Sequence, residues 1–199
     1  AHVARICFRL DGLPLAIELA AGRFDALGPA EIETRLDDRF RLLRAESGAA
    51  PTRQQTLEAT LAWSHELLEP DERVLFRRLS VFAGGFDLAA AEAVCATERL
   101  DPRDIPHLVA RLAEKSLVAV EEAGRERRYR LLETVRLYAH DRAAEAGEPS
   151  EVARRHADWA LALAEREEGS LRLDREAANL GAALDALHAD PERALRLCV

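Results

Sequence analysis

The hydrophobic positions of residues 3–43 predict three helices and one sharp corner. Apolar residues stand on both sides of Gly12 and Pro14, two residue types that destabilise a helix interior by about 1 and about 3 kcal/mol relative to alanine. The pattern predicts a helix, a forced corner, and a second helix with Pro14 in its first turn, where a missing N–H costs nothing. A third helix begins near Pro29, and four apolar residues line one face of it: Ile32, Leu36, Phe40 and Leu43.

A second helical block follows residues 45–53, a small and turn-prone stretch that is predicted to be a linker. Its first helix is lined by Leu57, Leu61 and Leu68, and the next begins at Pro70 and ends at Gly84-Gly85. Asp87 is a predicted N-cap for a short helix to Cys95. Another helix ends near Ser116 and has one apolar face: Ile105, Leu108, Val109 and Leu112.

After Ser116 the hydrophobic period changes. Residues 117–120 and 129–132 read as two short strands around a turn at Gly124, and a helix over about 134–146 follows. Three helices, a β-hairpin and a closing helix predict a winged-helix arrangement.

The last quarter of the chain returns to helical spacing. One predicted helix carries Val152, His156, a core Trp159 and Leu163, although the run Arg154-Arg155-His156 is interpreted as a solvated face. The predicted fold is therefore mainly α, with the start of a helical repeat array at the end. Three domains are predicted: a helical subdomain at 1–50, a winged-helix subdomain at 51–147, and the first helices of a tetratricopeptide-like region at 148–199.

Charge and cysteine usage narrow the function classes. The chain of 199 residues carries a net charge of −8, and residues 56–146 hold 17 acidic and 13 basic residues, so the basic surplus of a nucleic-acid binder is missing. Three scattered cysteines read as small buried residues of a reducing compartment. With no signal-peptide pattern and no apolar run that could span a bilayer, a cytoplasmic location and no membrane partner are expected.

No self-contained catalytic or metal site is expected in this sequence. Six histidines are scattered one to a helix, without a cysteine or carboxylate at metal-ligand spacing. Ser64-His65-Glu66 is contiguous, so its side chains point to different faces of one helix. The chain is therefore predicted not to be an enzyme, and the lack of methionine indicates a piece of a longer protein.

Five strings, taken in order, resemble the C-terminal part of the nucleotide-binding core of STAND-class signal ATPases, the NB-ARC-like group. Bacterial members of this group are large transcriptional regulators. The resemblance covers about residues 4–146, and the strings are LDGLPLAIELAA at 10–21, RQQTL at 53–57 with Trp63-Ser64, ER-LFRRLSVF at 72–82, KSLV at 115–118 and YRLLETVR-YA at 129–139.

The resemblance implies a nucleotide switch in the parent protein. ATP or ADP with magnesium would bind between a P-loop domain and the helical subdomain, with Gly12, Leu13, Pro14 and Leu15 as the adenine-side wall. This sequence contains no P-loop string, so no cofactor and no ATPase activity are expected for it alone. The implied partners are the P-loop domain of the same chain, an effector domain and C-terminal sensor repeats.

One position departs from the family pattern. Many members carry Met-His-Asp at the start of the last winged-helix helix, where the histidine senses the ADP β-phosphate, whereas this chain has Leu131-Leu132-Glu133. The phosphate-sensor position is therefore Leu132 and Glu133, and a leucine side chain makes no hydrogen bond to phosphate. Two interpretations stay open: this branch senses nucleotide differently, or Arg130 or Arg136 takes over.

A winged helix that contacts DNA is the alternative function. The predicted 105–115 helix places His107, Arg111 and Lys115 four residues apart on one outer stripe, and the 124–130 wing contributes Arg127 and Arg128. Interleaved acids and the negative charge argue against DNA as a partner. Three interpretations stay open for this face: a solvated surface, an intramolecular docking face and a DNA contact.

Overall fold

The computed structural model describes residues 2–10, 12–24, 26–36, 52–123, 126–166, 171–188 and 190–198. These residues form helices and one two-stranded antiparallel sheet, which confirms the predicted mainly helical fold. The chain divides into two compact units, one of residues 1–69 and 114–117, the other of residues 70–113 and 118–199. Most of the predicted linker at 45–53, and the helix positions Phe40 and Leu43, lie outside the described residues.

The first unit is built around a small apolar core. Its described helices are α1 (His2–Arg9), α2 (Pro14–Ala21), α3 (residues 29–36) and α4 (Arg53–Glu66). As predicted, Pro14 begins α2, and Leu10 before the corner is fully buried. Each of the four helices contributes to the core, which contains Ile6, Leu10, Ala16, Ala20, Ile32, Leu36, Ala59 and Trp63.

Local hydrogen bonds define the start of α4. The Thr52 hydroxyl accepts from the Gln55 amide at 3.3 Å, and the Gln55 side-chain oxygen accepts from the Thr52 amide at 2.8 Å. This reciprocal pair is a capping box, which satisfies amides that the helix leaves without partners. Although it falls within the predicted 51–147 subdomain, α4 packs against α2 in the first unit.

The second unit contains the predicted winged-helix arrangement. Its elements are α5 (Pro70–Leu79), α6 (Leu88–Cys95), α7 (Ile105–Glu114), β1 (Ala119–Ala123), β2 (Glu126–Arg130) and α8 (Glu133–Glu145). Asp87 accepts a hydrogen bond from the Ala90 amide at 2.7 Å, which confirms it as the N-cap of α6. Phe86 and Tyr129 exchange two backbone hydrogen bonds of 2.8 Å, so the segment before α6 adds a bridge to the hairpin edge.

The hairpin corrects the predicted strand boundaries of 117–120 and 129–132. Pairing runs from Ala119 opposite Arg130 to Ala123 opposite Glu126, so both strands lie nearer the turn than predicted. Leu117 and Leu131 are buried but precede and follow the strands. The hydrophobic pattern placed the strands at these buried flanking residues. The segments that do pair are rich in Glu and Arg and show no alternation of apolar and polar residues.

Helices complete the second unit. They are α9 (Pro149–Arg166), α10 (Leu171–Arg175), α11 (Ala177–Ala186) and α12 (Pro191–Cys198), and the five-residue α10 was not predicted. The interpretation of 154–156 as a solvated face is wrong for His156, which is 1 % exposed because α9 turns it against Phe82 and a half-buried Trp159. Within the described ranges, every helix is too short or too polar to cross a bilayer.

Candidate functional site

The outer face of α7 carries two of the residues proposed to contact DNA. Burial of Leu108 and Leu112 turns His107 outward to solvent and leaves Arg111 half-buried. The Arg111 Nε lies 2.6 Å from the Glu72 carboxylate, whose side chain is fully buried in the first turn of α5. The guanidinium of Arg111 is therefore directed toward the interior of the unit, and His107 is the more accessible of the two.

Lys115, the third residue of the predicted stripe, lies beyond the end of α7. It is half-buried and precedes Ser116, whose φ of 57° belongs to the left-handed region. The helix thus ends before the third position of the four-residue spacing, so the three side chains do not form one continuous helical stripe.

The wing places two of its arginines opposite glutamates. Glu122 stands opposite Arg127 and Glu121 opposite Arg128 in the antiparallel register, while Arg130 forms an ion pair with Glu121. Cross-strand pairs of opposite charge stabilise a hairpin by a few tenths of a kcal/mol up to about 1 kcal/mol. Of the two wing residues proposed to contact DNA, Arg127 is exposed and Arg128 is largely covered.

Arg128 is held by an acid from beyond the winged helix. Its NH1 nitrogen lies 2.5 Å from the Glu176 carboxylate, and only 16 % of the Arg128 side chain and 2 % of the Glu176 side chain are exposed. Glu176 stands at the junction of α10 and α11, where it also accepts from the Asn179 amide group at 2.6 Å. The wing is thereby joined to the helices that follow it.

Asn179 extends this contact to the turn before α6. Its side-chain oxygen accepts from the Gly84 amide at 3.1 Å, and its nitrogen donates to the Gly85 carbonyl at 2.7 Å. A Cβ on Gly84 would stand 2.9 Å from that of Ala178, and one on Gly85, at φ +83°, would stand 2.8 Å from the Tyr129 carbonyl oxygen. Glycine is required here because helix, turn and strand approach this closely.

The corner at Gly12–Leu15 presents a small apolar surface in the first unit. Gly12 has a φ of +65°, and its amide donates to the Cys7 carbonyl at 3.1 Å. Gly12 and Pro14 are exposed, whereas Leu13 and Leu15 are half-buried, and Leu13 packs against the core. A pyrrolidine ring at a helix start is rigid, so the corner can offer a flat apolar contact.

The proposed phosphate-sensor position begins α8. Leu132 precedes the helix in an extended conformation and makes no side-chain cap. Glu133 accepts two hydrogen bonds from Arg136, at 2.8 and 2.9 Å, which lower the pKa of Glu133 and raise that of Arg136. Arg136 also donates to the Ser80 carbonyl at 3.3 Å, so its guanidinium is engaged within the unit.

Two further arginines serve a structural role beside a cavity of about 160 Å³ between α5, α6 and α9. Arg78 donates to the Cys95 carbonyl at 2.7 Å and Arg155 donates to the Ala96 carbonyl, both at the C-terminal end of α6. Burial raises the pKa of the Cys95 thiol to about 12, which keeps it protonated and inert. No group of three or more potential metal ligands occurs among the described residues.

The sequence pattern did not identify the residues that hold Arg111 and Arg128 in place, which are Glu72, Glu176 and Asn179. Glu72 reads as an ordinary acidic residue in the first turn of a helix, and Glu176 as one of many surface charges. Asn179 is the exception, because its spacing indicates a buried position. It stands four residues before Ala183 and eight before Leu187, the residue that follows α11, and it is fully buried with them. A polar side chain on such a stripe needs a partner.

Residues 68–144 match the family described as the winged helix-turn-helix domain. The match begins just before α5 and extends into α8, so it includes α5, α6, α7 and the hairpin. It confirms the winged-helix assignment for this part of the chain.

Longer mycobacterial proteins resemble most of the chain. A protein of Mycobacterium tuberculosis named as a candidate HTH-type transcriptional regulator is 51% identical over 164 residues, which is 82% of this chain and 18% of the relative. A counterpart in Mycobacterium bovis matches equally. An uncharacterized protein of Mycobacterium tuberculosis is 49% identical over 155 residues, which is 77% of this chain and 39% of that protein. The chain therefore spans less than half of the length of these relatives.

Proposed function

We propose that this chain is a regulatory segment of a transcriptional regulator and that its winged helix, in the arrangement seen here, acts as an internal relay rather than as the reader of DNA. The winged-helix match and the name of the mycobacterial relative support the regulator class. One observation carries the relay role: Arg111 and Arg128, two cations expected on a DNA-contacting face, are paired with buried carboxylates of their own unit.

Phosphate neutralisation explains why this pairing matters. Affinity for duplex DNA comes largely from cations that replace the counterions of the phosphates. While the helices keep this packing, a guanidinium that pairs with a buried carboxylate gains little by moving to a phosphate, because the carboxylate would stay buried without that partner. The net charge of −8 adds repulsion between this chain and DNA. These charges favour docking within a larger protein over contact with a polyanion.

For the input to this relay, we propose a nucleotide switch. The exposed Pro14 and the half-buried Leu13 and Leu15 would form the adenine-side wall, while a P-loop domain of the parent protein would bind the phosphates of ATP or ADP with magnesium. Leu132 and Glu133 would occupy the phosphate-sensor position, with Arg130 or Arg136 as substitutes for the missing histidine. Sensor repeats and an effector domain would be the further partners, and the chain itself would bind and transmit without catalysis.

Titration of duplex DNA with the 199-residue chain tests the relay role. At ~0.15 M salt we expect a Kd no tighter than the weak non-specific range of about 10⁻⁴ M. Fluorescence anisotropy of a labelled duplex measures this binding. Micromolar or tighter binding would favour direct DNA contact over the relay role.

A second candidate function is direct DNA contact through α7 and the wing. The winged-helix match and the exposure of His107 and Arg127 favour it. If the chain binds duplex DNA, His107→Ala and Arg127→Ala should each weaken binding, whereas Arg35→Ala in the first unit, an exposed arginine paired with Glu31, should not. Equal effects of all three substitutions would indicate a charge effect without an interface.

A further inference from the structure

The contact between the wing and the helices after the winged helix consists mainly of polar interactions. We call it the wing clamp, and it comprises Arg128 of β2, Glu176 and Asn179 of the α10–α11 junction, and the turn Gly84-Gly85. The Arg128–Glu176 ion pair and three hydrogen bonds of the Asn179 side chain, which accepts one and donates two, hold it together. These groups can exchange their partners for water or for another anion, which an apolar contact cannot do.

The clamp covers the cation that would complete a basic wing. The wing sequence has arginines at 125, 127, 128 and 130. Of the two described wing arginines expected to contact DNA, Arg127 is exposed, whereas Arg128 is 16 % exposed because Glu176 lies against it. A phosphate oxygen and a carboxylate oxygen accept hydrogen bonds from a guanidinium in the same way. The Glu176 carboxylate therefore satisfies the same guanidinium donors that a backbone phosphate would accept from.

The turn Gly84-Gly85 packs closely against α11 and is bridged to β2 through the residue that follows it. Ala178 of α11 lies so close to Gly84 that a Cβ at Gly84 would approach it to 2.9 Å. Gly84 and Gly85 lead directly into Phe86, which bridges to Tyr129, the neighbour of Arg128 in β2. A displacement of α11 would thus release the turn and the wing arginine together.

We propose that α10 and α11 act as an autoinhibitory clamp that withholds Arg128 from duplex DNA, and that release of the clamp creates a wing that binds the DNA backbone. This proposal rests on the proposed function, because the clamp is the point at which the relay would control the winged helix. In the closed form the chain does not bind DNA. In the open form Arg128 exchanges the Glu176 carboxylate for a phosphate.

Two substitutions with the same charge change test the clamp in the full 199-residue chain. Glu176→Gln removes the carboxylate that holds Arg128, and the matched control Glu145→Gln removes an exposed carboxylate that pairs with Arg142 on α8. The readouts are hydrogen exchange at the amides of Gly84, Phe86 and Tyr129, and duplex affinity as a function of salt.

We expect Glu176→Gln to speed exchange at the Gly84 amide by about tenfold while the amides of α9 keep their protection. DNA affinity should rise about fivefold above that of Glu145→Gln, and the slope of log K against log salt should steepen by about one, as for one added phosphate contact. In an Arg128→Gln background, Glu176→Gln should give no gain in affinity.

Four results would overturn the clamp. They are equal affinity for the two glutamine variants, unchanged exchange at Gly84, a gain in affinity that persists without Arg128, and loss of the whole winged-helix fold in Glu176→Gln. The last result would mean that the contact cannot open separately. Tight DNA binding by the unaltered chain would instead contradict the proposed function, whatever the exchange data show.

Discussion

His156 places an ionisable ring where the surroundings favour only its neutral form. Phe82 and Trp159 contact the ring, and its Nε2 atom finds no hydrogen-bond partner among the described residues. Desolvation lowers the pKa of His156 from 6.5 to about 4. The His156 ring binds a proton near pH 6.5 in the unfolded chain but only near pH 4 in the folded chain. The free energy of unfolding is therefore highest above pH 6.5 and decreases as the pH falls from 6.5 to about 4.

Replacement of His156 by leucine should remove this pH dependence. The difference in unfolding free energy between the parent and His156→Leu should change by up to about 3 kcal/mol from pH 7 to pH 4, with the parent losing more stability. Urea unfolding at several pH values measures it. His140→Gln, at an exposed position on α8, serves as the control and should keep the parent profile.

Two glycines with similar backbone conformations separate strain from steric contact. Gly147 has a φ of +72° and open space around a built Cβ, whereas at Gly85 the Cβ would meet the Tyr129 carbonyl oxygen at 2.8 Å. We expect Gly147→Ala to cost about 1 kcal/mol from backbone strain and Gly85→Ala about 3 kcal/mol, because the strand must also shift. Thermal or urea unfolding gives both values, and equal costs would mean that the turn moves freely.

At the scale of the elements, the ion pair between α5 and α7 decides how the outer face of α7 is used. The Glu72 carboxylate is buried in the first turn of α5, and Arg111 reaches it from α7. Such a pair does more to fix the arrangement of two helices than to add net stability, but removal of one member is costly. The charged stripe that the sequence indicated is therefore partly a packing feature.

Arg111→Ala should destabilise the winged helix by about 2 kcal/mol, because it leaves the Glu72 carboxylate without its guanidinium. Arg103→Ala, an exposed arginine in the loop before α7, should change stability by less than about 0.5 kcal/mol. Urea unfolding of both variants provides the comparison. An unchanged stability of Arg111→Ala would show that this arginine is available for an external ligand.

At the scale of the whole molecule, each of the two units contains one of the surfaces that the proposed relay needs. The first unit presents the corner at Gly12–Leu15, and the second contains the winged helix, in which Arg128 of the wing is paired with Glu176. Of the proposed input and output surfaces, neither forms a complete site in the described residues: the corner offers one apolar wall, and the wing has its Arg128 covered. We propose that a larger protein supplies the partner of each surface.

The corner is tested in the parent protein that carries the proposed P-loop domain. Pro14→Ala should weaken ADP binding about fivefold, as expected for the loss of a small apolar contact of about 1 kcal/mol. Pro70→Ala is the matched control, since Pro70 is also exposed and also begins a helix. Calorimetric titration measures both affinities. Unchanged affinity in Pro14→Ala would remove this proline from the site.

The sequence by itself determined the features that depend on neighbouring residues. Pro14 set the start of α2 because its ring fits the first turn of a helix, and Asp87 set the start of α6 because its carboxylate accepts a nearby amide. The order of three helices, hairpin and closing helix followed from the hydrophobic period. Strand boundaries were less accurate, because charged cross-strand pairs carry no period of their own.

Only the tertiary structure decided which charges find partners. Arg128 and Glu176 are 48 positions apart, and Gly84 and Asn179 are 95 apart, so no local pattern relates them. Whether an arginine faces solvent, a phosphate or a buried carboxylate depends on the packing of distant helices, since desolvation and geometry fix its partner. The sequence therefore predicted a winged helix whose wing carries arginines, and the fold determined that Arg128 of this wing is paired with Glu176.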